Sequence, residues 1–161
     1  MGNYNPIYKS IWQSQRFTKL QPSEKLVYLN LLTNKQVSQS GIYNIMPQYI
    51  ACDCGFDTKE VINILEKLDK LQMIKFYKNE NIIFIHKYFK YTRGMIKNPS
   101  ILSKALNRER ELIDNKEVWQ LFDMEFYYEL ELINEALIKN QSNKNKNDND
   151  NDNDNDNNVS N

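Results

Sequence analysis

The chain has 161 residues, 40% of them apolar, with 21 basic and 21 acidic side chains and a formal net charge of zero. That length suits one small domain with extensions, and no stretch approaches the ~18 consecutive apolar residues of a membrane span. The opening MGNYNPIYKS lacks the apolar core of a secretory signal and has Pro6 where a myristoylation signal requires Ser or Thr. Its two cysteines fit a compartment where disulfides are rare, so a cytoplasmic protein is expected.

Neutrality hides an asymmetry. Residues 1–97 carry 14 basic and 7 acidic side chains, a net of +7, whereas residues 98–161 carry 7 and 14, a net of −7. The first part can attract a polyanion and the second cannot.

Residues 4–20 bring aromatics at Tyr8, Trp12 and Phe17 and read as an arm packed on the domain. QPSEKLVYLNLLTN predicts the first helix: Pro22 suits its first turn and Glu24 its positive end. Leu26, Leu29 and Leu32, with Val27 and Leu31 alongside, form its expected apolar face, and the helix should end near Asn34. GIYNI reads as a short strand and MPQYIACDCG as a second helix stopping at Gly55. In DTKEVINILEKLDKLQM, Asp57 and Glu60 have capping-box spacing. Val61, Ile64, Leu65, Leu68 and Leu71 recur at helical spacing, which leaves Lys59, Asn63, Lys67 and Lys70 toward solvent. A hairpin follows, with strands near 73–77 and 82–88 and KNEN as its turn.

The order helix, strand, helix, helix, strand, strand is that of a winged helix-turn-helix. The expected class is mainly α with a small β-hairpin (α+β), with a C-terminal helical extension. Residues 1–97 form the winged helix domain with its arm. Residues 98–139 form an acidic helical extension, broken around IDNKE, and residues 140–161 an Asn/Asp-rich tail without core-forming side chains, expected to be disordered.

Enzyme and metal chemistry lack their signatures. No phosphate-binding glycine loop and no G-x-S-x-G is present, so no catalytic residue and no cofactor are expected. Cys52 and Cys54 with a distant His86 fall short of a zinc set, so no metal is expected.

The basic positions say more. Lys59, Asn63 and Lys67 recur every four residues on one side of the third helix. Asn can pair with adenine, and Lys with guanine or phosphate. Lys75, Lys78, Lys87, Lys90 and Arg93 cluster on and after the hairpin, where a wing meets phosphates. The expected DNA-binding set is Thr58, Lys59, Asn63, Lys67, Lys70, Lys75, Lys78, Lys87, Lys90 and Arg93, and no membrane partner is expected.

Residues 7–122 resemble the N-terminal domain of phage and plasmid DnaD-like replication proteins, the replisome organisers. The resemblance is carried by IYKSIWQSQRF, LQPSEKLVYLNLLTN, GIYNIMPQYIA, VINILEKLDKLQMIKFY, IIFIHKYFKY and KNP. It implies origin or single-strand DNA binding, self-association into a homo-oligomer, and assembly with other replication proteins. A second helical domain of the longer relatives has no counterpart here, which implies a stand-alone DNA-binding and oligomerising unit. A transcriptional regulator on the same fold is the alternative, and so is an interaction protein whose acidic helix binds a partner.

Deleting residues 141–161 should leave the Tm unchanged, because a tail of Asn and Asp buries no apolar surface. Thermal denaturation of the truncated chain checks this; a large loss of stability contradicts it.

Overall fold

Strand β3 (Ile82–Ile85) reads as four consecutive apolar residues, and all four are buried. Two antiparallel neighbours take its edges, β1 (Ile42–Asn44) and β2 (Ile74–Tyr77), so the three-stranded order is β1-β3-β2. Ile42 faces Phe84 across one edge; Ile74, Lys75 and Phe76 face Ile85, Phe84 and Ile83 across the other. Burial on both faces replaces the alternation of a half-exposed strand with an unbroken apolar run. The computed structural model describes residues 5–92 and 99–127.

Mainly helical segments surround this sheet. After a short 3₁₀ turn (Lys9–Gln13) come α1 (Gln15–Thr18) and α2 (Pro22–Thr33); α3 (Pro47–Cys54) and α4 (Thr58–Lys70) lie between β1 and β2. Following β3 are α5 (Tyr88–Thr92), α6 (Pro99–Leu112) and a helical stretch over residues 116–127, α7. The α+β class and the element order of the sequence reading hold. The break between α6 and α7 falls at residues 113–115, within the expected IDNKE.

Several details differ from expectation. The buried side of α2 is Val27, Tyr28, Leu31 and Leu32 with Glu24, whereas Leu26 is 45% exposed. The stripe 24-27-28-31 has the same helical period, rotated so that a tyrosine replaces a leucine in the core. Leu71 was expected in the core but is exposed: α4 ends at Lys70, and Gln72, at φ 53°, turns the chain toward β2. The second hairpin strand is shorter than its expected 82–88. Lys87 adopts φ 57° and starts the turn into α5, ending the ladder. In the arm, Ile11 and Phe17 are the buried anchors, while Trp12 and Tyr8 are exposed. The Tyr8 N–H donates to the Tyr91 carbonyl at 3.0 Å, which holds the arm against α5.

Chain contacts divide the molecule into residues 1–122 and 123–161. Within the first unit, Phe122 of α7 packs against Phe84 and Phe89, with ring centroids 6.3 and 6.1 Å apart, and covers the outer face of the sheet. The Trp119 indole donates to the Ile113 carbonyl at 3.0 Å, and the Arg110 guanidinium lies 4.6 Å over its ring. The Glu109 carboxylate accepts the N–H groups of Gln39 and Ser40, at 2.8 and 3.1 Å, which ties α6 to the α2–β1 loop. The Asn/Asp tail and the part of the acidic extension beyond residue 127 lie outside the described residues.

Gly41 is where backbone geometry and packing coincide. It holds φ 76°, and a Cβ there would sit 2.6 Å from Cγ of Tyr88. Gly55 also has positive φ, 74°, but opens onto empty space. Gly41→Ala should therefore cost about 2–4 kcal/mol, combining left-handed strain with overpacking, and Gly55→Ala only about 1–2 kcal/mol of strain. Urea denaturation of the two variants checks the difference; equal losses would mean that Tyr88 moves aside freely.

Candidate nucleic-acid interface

Helix α4 is set in place by local signals and by its apolar stripe. Gly55, in left-handed backbone, ends α3, and its N–H returns to the Ala51 carbonyl at 2.9 Å. Two residues later the Asp57 carboxylate accepts the Glu60 N–H at 2.8 Å and opens α4. Gly55, Phe56 and Asp57 are therefore the whole link between the helices. Val61, Ile64, Leu65 and Leu68 are buried against α2, α3 and β2, which fixes the rotation of α4 about its axis.

That rotation leaves Lys59, Asn63, Lys67 and Lys70 exposed, with Thr58 half-buried in the first turn. Lys59 and Lys70 form no ion pair among the described residues, and Asn63 lies between them on the same side of the helix. Lys67 is different. Its ammonium bonds the Glu24 carboxylate, which is 6% exposed on α2 and also accepts the Gln21 N–H at 2.9 Å. Burial alone would raise the Glu24 carboxyl, but the Lys67 ammonium and the Gln21 N–H outweigh it and hold the group below its ordinary value of 4.5.

The hairpin lysines are also engaged. Lys78 donates to Glu66 at 2.9 Å, and that bond holds the Glu66 carboxyl below its ordinary value. Lys75 lies 4.0 Å from Asp69 and 5.7 Å over the Tyr77 ring; in register with Phe84, it belongs to the sheet face that α7 covers. Glu80, in the hairpin turn, accepts from the Asn115 side chain at 2.9 Å. The hairpin thus presents cation–carboxylate pairs, whose fields cancel beyond a few ångströms, rather than a row of unopposed lysines. Lys87 and Lys90 are exposed at the corner after β3, away from the turn. Arg93 lies outside the described residues.

The structure therefore distributes the expected set over three places. Lys59, Asn63 and Lys70 share the solvent side of α4; Lys67, Lys75 and Lys78 pair with Glu24, Asp69 and Glu66; Lys87 and Lys90 stand at the β3–α5 corner. The sequence reading missed the three carboxylate partners. The spacing of Glu66 and Lys78 carries no local signal, and Glu24 and Lys67 are 43 residues apart.

Cys52 and Cys54 are free thiols, and the His86 ring packs at a tilt against Phe84 with ring centroids 4.9 Å apart. Among the described residues no group of three or more His, Cys, Asp or Glu side chains is placed to hold a metal ion. Nor is any described helix long and apolar enough to cross a membrane. No family model, curated protein or solved structure matches the chain.

The Glu24–Lys67 pair joins α2 to the exposed side of α4, so its loss should loosen that helix. Because the folded carboxyl lies below its unfolded value, its contribution is complete above about pH 4.5 and disappears as pH falls through the folded value. Glu24→Gln should cost about 1–2 kcal/mol at neutral pH, the exposure of Lys67 keeping the loss below that of a fully buried pair. Denaturation at several pH values should show that difference shrinking below pH 4.5. A constant difference would assign the cost to packing instead of charge.

Proposed function

We propose that the protein is a DNA-binding module of the winged helix-turn-helix class, with α4 as the helix entering the major groove and the β2–β3 hairpin as the wing. The observation that carries this reading is the solvent side of α4, where Lys59, Asn63 and Lys70 stand together while the opposite side is buried. The three-residue link from α3 to α4 and the antiparallel hairpin after α4 support it. In this role Asn63 reads a base edge, and Lys59 and Lys70 meet the phosphates on either side. Lys87, Lys90 and Arg93 extend the phosphate contacts beyond the hairpin, and Thr58 opens the helix that carries the reading residues. The hairpin contributes less charge than a row of free lysines, since Lys75 and Lys78 have carboxylate partners.

The resemblance of residues 7–122 to DnaD-like replication proteins supports a place in replication initiation of a phage or mobile element. In that setting the protein acts in the cytoplasm as a homo-oligomer and meets other replication proteins on DNA.

Asn63→Ala should weaken binding to a preferred duplex more than to random duplex, by about 1–3 kcal/mol for a lost bidentate contact. Lys59→Ala should weaken both duplexes alike and lower the salt slope by about one. Glu66→Gln should strengthen binding and steepen the slope by about one, because it releases Lys78 to a phosphate. Anisotropy titrations across a salt series measure all three. A flat salt response, or no duplex binding at low salt, would remove the reading.

A further inference from the structure

Two concave sites meet at Arg16. The first, a cleft of about 280 Å³, lies between Ser14 and Arg16 of the arm and Lys87 and Lys90 at the β3–α5 corner. The second, of about 450 Å³, runs from Arg16 past Lys19 to Lys67 and Lys70 at the C-terminal end of α4. Gln15 and Arg16 line both, so the two clefts adjoin at the base of the arm; together they make up the trough.

The walls of this trough are cationic. Arg16, Lys19, Lys70 and Lys90 form no ion pair among the described residues. Glu24 is the one carboxylate among the described lining residues, and Lys67 already neutralises it. Arg16 is also oriented, since its guanidinium donates to the Gln72 carbonyl at 2.9 Å. Gln72 and Lys87, at φ 53° and 57°, are two of the three described non-glycine residues with left-handed backbone, and both line the first cleft. Such backbone is unfavourable for these residue types and concentrates at functional sites.

We propose that this trough holds the phosphodiester backbone of one nucleic-acid strand, as a second contact separate from the central face of α4; the proposal rests on the DNA-binding reading. A duplex is too wide to enter clefts of a few hundred cubic ångströms, whereas the sugar–phosphate chain of a single strand fits. The cations are spread along two joined clefts rather than gathered around one point, which suits a chain of phosphates better than a compact anion. A basic groove that follows the backbone is also how single strands are bound without sequence preference. Lys67 and Lys70 lie where the exposed side of α4 runs into the trough, so a strand leaving a duplex on α4 would pass directly into it.

Anisotropy of the full chain with labelled oligothymidylate and with duplex, at the same low salt, tests this. Arg16→Ala/Lys19→Ala should lower single-strand affinity about tenfold or more and reduce the salt slope by about 1.4, while duplex affinity changes by less than about twofold. Lys19→Ala alone leaves the Arg16–Gln72 bond in place and should show the same selectivity with a slope change of about 0.7, which covers a folding defect in the first variant. Equal losses for both DNAs, or no loss, would overturn the proposal. Competition by ATP as effective as that by unlabelled oligothymidylate would make the trough a nucleotide site and overturn it too. Wild-type binding to single strand alone keeps the trough and removes the α4 reading; binding to duplex alone does the reverse, and binding to neither removes both.

Discussion

With both edges paired and both faces covered, β3 leaves its neighbours little freedom. Ile83 and Ile85 point with Phe76 and Ile74 toward the helices, while Ile82 and Phe84 point toward α7. A one-residue slip would exchange these sets, bringing Phe84 into the helical layer and losing its contact with Phe122. Register in turn fixes Tyr43, opposite Ile83, whose hydroxyl donates to the Leu31 carbonyl at 2.7 Å inside the core. It also fixes the start of β2, and through the turn at Gln72 the C-terminal end of α4. The side that α4 shows to solvent is therefore a consequence of how a strand elsewhere in the sheet is buried.

Charge is arranged on top of that framework by contacts between elements. Lys67 and Lys78 both carry an ammonium near the exposed side of α4, yet each is held by a carboxylate, from α2 and from α4 itself. An exposed pair such as Lys78–Glu66 stabilises a fold only slightly, less than Lys67 with the buried Glu24. Their larger effect is on the field: a phosphate approaching the hairpin meets a neutral pair, whereas Lys59 has no ion-pair partner among the described residues and Lys70 shares its charge only with the field of Glu66. In the proposed role this shifts recognition from the hairpin to the helix and to the arm.

The two proposed contacts differ in shape. The exposed side of α4 is convex and offers an amide between two cations, the arrangement that a groove can receive. The trough beside the arm is concave and lined by long cationic side chains. They meet at the last turn of α4, where Lys67 and Lys70 belong to both.

The sequence alone determined those features that depend on neighbours within a turn or two. The starts of α2 and α4 and the end of α3 followed from Pro22, Asp57 and Gly55, because caps and helix-compatible backbone act locally. The long stripe from Val61 to Leu68 gave α4 its buried side correctly, because four periodic residues average out any single exception. The rotation of α2 was harder to read: its leucines are nearly continuous, and only packing against α3 and α4 chose Val27, Tyr28 and Leu31 over Leu26. The early end of β3 and the exposure of Leu71 depended on positive-φ turns at Lys87 and Gln72, which those residue types do not announce. Which lysines remain uncommitted was decided by tertiary structure alone. A side chain's charge is written in the sequence, but its partner comes from whatever residue folding brings within 4 Å, here as far away as 43 positions.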